Sequence, residues 1–281
     1  MEIENFNNDY SASNFVQYIP GGIKTKLIIS VPHGGEMRPE FITDRDKSTF
    51  CKSNGGLYNA VCEPDQFTKE LVFLLHEELI KNSSLEEAPH IVIAEVHRSK
   101  VDLNREVNEA TMHDPEAQSI YSCYHQLLSN AKKIVKHGLF IDIHGQSHPE
   151  QWVELGYLLS KSCINSQNIN DDNSSIRNLA KHSSFSFFDL VCGEGSLGKF
   201  LNDEGIKSVP SPANPIINGN YFNGGYNTLF YGSKFSGEID AIQIESPNNL
   251  RSAENRTLYA GALARALVKY INLHYKESTS G

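Results

Sequence analysis

Cysteine is scarce and unpatterned in this chain. The five residues Cys51, Cys62, Cys123, Cys163 and Cys192 are an odd number with no Cys-x-x-Cys pair, so neither a disulfide framework nor a thiolate zinc site is indicated. Dense Lys/Arg blocks are absent as well. With 25 basic against 34 acidic residues, the formal net charge is -9, which argues against a nucleic-acid or anionic-membrane surface and leaves any anionic ligand to be held by local arginines. No apolar run approaches membrane-spanning length, and the first ten residues are polar and acidic, so a soluble, cytoplasmic protein is expected. Neither a Gly-x-Ser-x-Gly elbow nor a suitably flanked cysteine is present, which disfavours a serine or cysteine hydrolase. No internal repeat is visible, and no linker divides the chain.

At 281 residues and 39% hydrophobic, the sequence can bury the core of one large α/β domain, expected over 1–281 with residues 1–20 as an N-terminal arm. Short β-branched runs predict strands at 26–31, 90–96, 139–145 and 239–245, with a further candidate at 155–160. Helical spacing predicts helices at 64–81, 114–137, 196–204 and 250–275; Asp114-Pro115-Glu116 is a strong helix start. Strand, helix, strand is the grammar of a parallel α/β unit, so the expected architecture is a three-layer α/β/α domain around a mixed, mostly parallel sheet. The polar stretch 44–59 follows closely on the first strand exit and is expected as a surface loop or pocket rim. The stretch 161–175, rich in Asn, Asp and Ser, reads as an exposed excursion. The loop 210–226 carries glycines and aromatics at a length that favours a functional role.

Two strands deliver a histidine at their exit. Ile29-Ser30-Val31-Pro32-His33-Gly34-Gly35-Glu36 ends the first, and Asp142-Ile143-His144 ends the third. If the glycines let the backbone turn tightly, His33 and Glu36 close on one ion with His144 as third ligand, the two-nitrogen, one-carboxylate set of a catalytic zinc. Asp142 shares its side of the strand with His144 and is either a partner of that imidazole or the cap of a neighbouring loop. Parallel strands would also bring Arg98 and Glu245 to the same sheet edge, where open α/β folds place their ligand crevice. Arg105 reads either as a grip on a substrate carboxylate or as a salt bridge to Asp102 or Glu106.

The ordered set Pro32-His33-Gly34-Gly35-Glu36, His97-Arg98 with Asp102-Leu103-Asn104-Arg105, Asp142-Ile143-His144, Phe222-Asn223-Gly224-Gly225-Tyr226 and Gln243-Ile244-Glu245 resembles the N-formylglutamate amidohydrolases. More loosely it resembles the zinc carboxypeptidases and aspartoacylases. The resemblance implies one zinc per chain on His33, Glu36 and His144, Glu245 as general base and acid, and Arg98 polarising the scissile carbonyl. It further implies Asn104 and Arg105 on a substrate carboxylate, with Gly224, Gly225 and Tyr226 lining the pocket. Ser246-Pro247-Asn248-Asn249 departs from the bacterial deformylases, which leaves the accepted acyl group and amino acid open. The expected function is zinc-dependent hydrolysis of a small anionic N-acyl amino acid. A carboxypeptidase acting on a peptide, or a zinc-retaining binding protein without turnover, are the alternatives; Glu245 speaks against the latter.

Overall fold

The computed structural model describes residues 12–45 and 61–276. Seven strands, β1 (Val16–Ile19), β2 (Leu27–Val31), β3 (His90–Ala94), β4 (Gly138–Gln146), β5 (Val153–Gly156), β6 (Ser208–Val209) and β7 (Ile239–Pro247), form one sheet in the order β1-β3-β2-β4-β7-β5-β6. Its centre, β3, β2, β4 and β7, is parallel, whereas β1 and β5 run antiparallel to β3 and β7. Every residue of β2 and β3 is buried, as continuous apolar strands covered on both faces must be.

Helices cover both faces. On one side α1 (Thr68–Lys81) and α4 (Arg256–His274) pack through Leu71, Leu75, Leu263 and Leu267 on Leu27, Ile29, Ile141 and Ile143. On the other, α2 (Pro115–Val135) lays Tyr124, Leu128 and Ala131 on Ile28, Val92 and Phe140. The start of α2 is made as expected, with Pro115 in its first turn and the Asp114 carboxylate accepting the N–H groups of Glu116 and Ala117 at 2.9 and 3.0 Å. A short helix, α3 (Tyr226–Tyr231), lies over the same face nearer the strand exits. Among the described residues no helix is long and apolar enough to cross a membrane.

Several boundaries differ from the sequence reading. The expected N-terminal arm is structured from Ala12, because a 3-10 turn leads into β1, which pairs with β3. The fifth strand sits at Val153–Gly156, earlier than expected. The last helix is broken: Asn248–Arg251 forms a separate turn anchored by buried Arg251, which donates to the Ser246 and Gln146 carbonyls. On α4 Leu258 is 77% exposed, since the stripe through Tyr259, Leu263, Leu267 and Ile271 faces the core. The polar excursion returns to the core at Ser175, whose hydroxyl donates to the Ala241 carbonyl at 2.6 Å. Most of the loop expected at 44–59 lies outside the described residues.

Strand alternation sorts β4 and β7 by face. Ile141, Ile143, Ile242 and Ile244 face α1 and α4, so Asp142, His144, Gln243 and Glu245 emerge on the opposite side. In the parallel register His144 lies directly beside Glu245. The chemistry-bearing side chains of these strands therefore collect at one end of the sheet, under the α3 region.

Candidate metal centre and pocket

His33 follows the exit of β2 and His144 sits near the end of β4; their rings lie 4.9 Å apart, centroid to centroid. The third member is Asp65, in the turn that enters α1, and one donor atom from each of the three lies within 4.8 Å of the others. Asp65 is tied to the first histidine through the backbone, its N–H donating to the His33 carbonyl at 3.0 Å. Its Oδ2 lies 2.9 Å from His144 Nδ1 and 3.4 Å from His33 Nδ1. Donors bonded to one tetrahedral zinc at about 2.1 Å stand roughly 3.4 Å apart, so these side chains suit such an ion with small adjustments.

The outer nitrogens strengthen the fit. His33 Nε2 faces Asp102 Oδ1 at 2.7 Å, and His144 Nε2 faces Asp142 Oδ2 at 2.9 Å. A carboxylate behind each imidazole fixes its tautomer and turns the other nitrogen toward a metal. Of the two readings of Asp142, the structure selects the partner of His144. Burial raises the Asp65 carboxyl and the imidazoles of His33 and His144 lower it; the imidazoles prevail and hold it far below the carboxylate range. Burial likewise disfavours the imidazolium of His144, but Asp142, Asp65 and Glu245 outweigh it and raise its pKa well above the ordinary value.

Glu36 is not part of this cluster, which corrects the expected ligand set. Gly35 and Met37 pair with His97 and Val96, which carries the exposed Glu36 onward along that pairing instead of folding it back. Gly35 serves close approach, not a tight turn: a Cβ there would stand 2.4 Å from the Glu95 carbonyl carbon.

A pocket of about 470 Å³ opens on the three donors. Glu245, 6% exposed, lines it, and burial pushes its carboxyl up to about 8, with Asp65 and Glu154 raising it further and His144 and Arg98 opposing. Gln243 Nε2 donates to Glu245 Oε1 at 2.8 Å. Arg98 Nε donates to Asp102 Oδ2 at 3.0 Å, and its Nη1 lies 3.6 Å from Asp65 Oδ1. Asn104 lines the pocket while bracing it, with Nδ2 3.2 Å from His144 Nε2 and Oδ1 accepting the Asn227 N–H.

Arg105 lines the pocket too, and its structural partner is Glu109 at 3.2 Å, not Asp102 or Glu106. Gly224 and Gly225 form part of the wall, and a Cβ on Gly225 would stand 2.4 Å from Asn104 Nδ2. Tyr226 does not line this pocket, contrary to expectation. As the first residue of α3 it turns into a neighbouring cleft, stacked on Phe230 at 5.6 Å.

Sequence reasoning missed Asp65, Asp102, His148 and Glu154. An acid before a helix looks like an ordinary first-turn charge, and Asp102 was read only as a possible partner of Arg105.

A seven-stranded mixed sheet with helices on both faces and a buried His-Asp-His cluster at its strand exits is an α/β fold suited to a metal centre. That fold is shared with the N-formylglutamate amidohydrolase of Ralstonia eutropha JMP134, at a TM-score of 0.50, 12% identity, and coverage of 92% of this chain and 98% of that one. The N-acetylmuramyl-L-alanine amidase Ami1 of Mycobacterium abscessus superposes at a TM-score of 0.43, with 11% identity over 88% of this chain and 98% of that one. A bacteriophage poly-gamma-glutamate hydrolase gives 0.42, with 11% identity over 92% of this chain and 91% of that one. No protein-family model matches the chain, and no curated protein does.

Proposed function

We propose that the protein is a zinc-dependent amidohydrolase that cleaves the amide of a small N-acyl amino acid, with His33, Asp65 and His144 holding the ion. The observation that carries this reading is the pair of Nδ1 atoms facing one Asp65 oxygen while Asp102 and Asp142 brace both Nε2 atoms. Zinc held by these two imidazoles and the carboxylate would supply a Lewis acid that makes water more acidic.

The protein's own groups divide the remaining work. Glu245 lines the pocket beside His144 without being a donor to the centre or a brace for its imidazoles. Desolvated and raised toward neutrality, it takes a proton from the attacking water and returns it to the leaving nitrogen. Gln243 holds that carboxylate in place. Arg98, pinned by Asp102, offers guanidinium N–H groups to the carbonyl oxygen as negative charge develops there. Arg105 and Asn104 form the flank suited to a carboxylate on the leaving amino acid, and Gly224 and Gly225 let the backbone approach the substrate. A cavity of about 470 Å³ lies in the range for small ligands, which favours an amino-acid derivative over a long peptide.

The test is zinc analysis of the purified protein together with amine release from N-formyl, N-acetyl and longer N-acyl amino acids beside a peptide series. Turnover confined to peptides would reject the small-substrate reading, and absence of turnover in fully zinc-loaded protein would reject the enzyme.

A further inference from the structure

The chemistry above leaves the β5 side of the pocket without a task, although that side holds an oriented histidine. His148 reaches the pocket wall from the segment between β4 and β5. Its Nδ1 lies 2.7 Å from Oε1 of Glu154, a fully buried residue of β5. The other Glu154 oxygen accepts the Phe222 N–H at 2.7 Å, and the Phe222 ring stacks on the imidazole at 4.7 Å and 26°. The ring is thus fixed at one edge and on one face. A carboxylate bound to Nδ1 leaves Nε2 as the nitrogen the ring can offer. That nitrogen has no hydrogen-bond partner among the described residues, and the side chain, 22% exposed, lines the pocket.

Sheet order locates this group relative to the reacting centre. Glu154 is registered beside Glu245, which is registered beside His144, so β5 stands two strands, or about 10 Å, from β4. Arg105 reaches the pocket from the segment after β3, whereas His148 reaches it from the segment after β4, tied to β5 through Glu154. With the leaving amino acid at Arg105, as proposed above, the β5 side is a part of the pocket left for the acyl group, and His148 lines it.

We propose that His148 is a substrate-binding residue whose Nε2 receives an oxygen acceptor at the far end of the acyl group, and that the preferred acyl group is a short chain ending in a carboxylate. This rests on the amidohydrolase reading given above. An anion at Nε2 would place the His148 ring between two carboxylates, the substrate's and that of Glu154, with Glu154 acting as the positioning residue.

The test compares N-succinyl-L-glutamate with N-butyryl-L-glutamate, which has the same chain length but no terminal carboxylate, on zinc-loaded native protein and the His148→Ala, His148→Gln and Glu154→Gln variants. The native protein should prefer the succinyl compound. His148→Ala should lower kcat/KM at least tenfold more for succinyl than for butyryl, mainly through KM, and His148→Gln, which keeps an N–H donor, should recover part of the difference. Glu154→Gln should narrow the same ratio. Equal losses on the two compounds, or no native preference for succinyl, overturn the proposal while leaving an amidohydrolase in place. Should no amide be turned over, titrating succinate against the zinc-loaded protein decides: a shift of the His148 Nε2 resonance upholds the site without the enzyme, and an unmoved resonance overturns it.

Discussion

Whether Asp65 and not Glu36 is the carboxylate ligand of the proposed zinc can be tested most directly by substituting each with alanine. Asp65 is buried between two imidazoles that both address its Oδ2, whereas Glu36 is exposed on an extended segment. Asp65→Ala should therefore remove a third of the protein donor set, and Glu36→Ala none of it. If zinc is supplied at about 100 times its Kd, binding adds about 2.7 kcal/mol to the native state. In a domain of this size each kcal/mol moves the melting temperature by about 2–4 °C, so zinc should raise Tm by roughly 5–10 °C. The assay is a melt of each protein with zinc and with a chelator, beside metal analysis of the dialysed samples. Taking the zinc-dependent shift within each variant cancels the intrinsic cost of losing a buried anion. Native protein and Glu36→Ala should show the full shift and about one zinc per chain, and Asp65→Ala little of either. A full shift in Asp65→Ala, or its loss in Glu36→Ala, would refute the geometry described here.

The same chemistry makes three further predictions. Glu245→Gln should keep zinc and fold but lose on the order of 100-fold or more in kcat, and near-native turnover would remove Glu245 as the base. Amidating the amino-acid carboxylate of the substrate should cost much more in the native protein than in Arg105→Ala, and equal penalties would leave Arg105 only its ion pair with Glu109. Because the metal-free His144 has its pKa raised, it holds a proton at neutral pH that zinc must displace. Apparent zinc affinity should then fall by about tenfold per pH unit on acidification below that pKa, with proton release seen by calorimetry in buffers of different ionisation enthalpy. Binding without proton release would mean that Asp142 does not keep the imidazole charged.

What could be read in the sequence was whatever local pattern and burial determine together. The central strands are covered on both faces, so they appear as unbroken apolar runs, and their order of charged exits brought His33, His144, Arg98 and Glu245 to one edge before any contact was known. Alternation alone puts Asp142 on the side of His144, and the hydrogen bond between them decides between its two readings. The failures share a different cause. The spacing of His33 and Glu36 permits a chelate only if the intervening backbone turns, and what decides against the turn is pairing with Val96 and His97, some sixty residues away. Asp65 looks like any acid at a helix start, and only the hydrogen bond from its N–H to the His33 carbonyl brings that turn against the β2 exit. Tyr226 was read together with the glycines before it, but α3 begins at that residue and rotates its ring away from the pocket those glycines line. For the two acids the residue type fitted the chemistry and a non-local backbone contact decided which of them stands beside His33 and His144. Such contacts leave no periodicity behind them, so in a cluster gathered at strand exits the histidines delivered by the strands are legible, and the acid delivered by a loop is not.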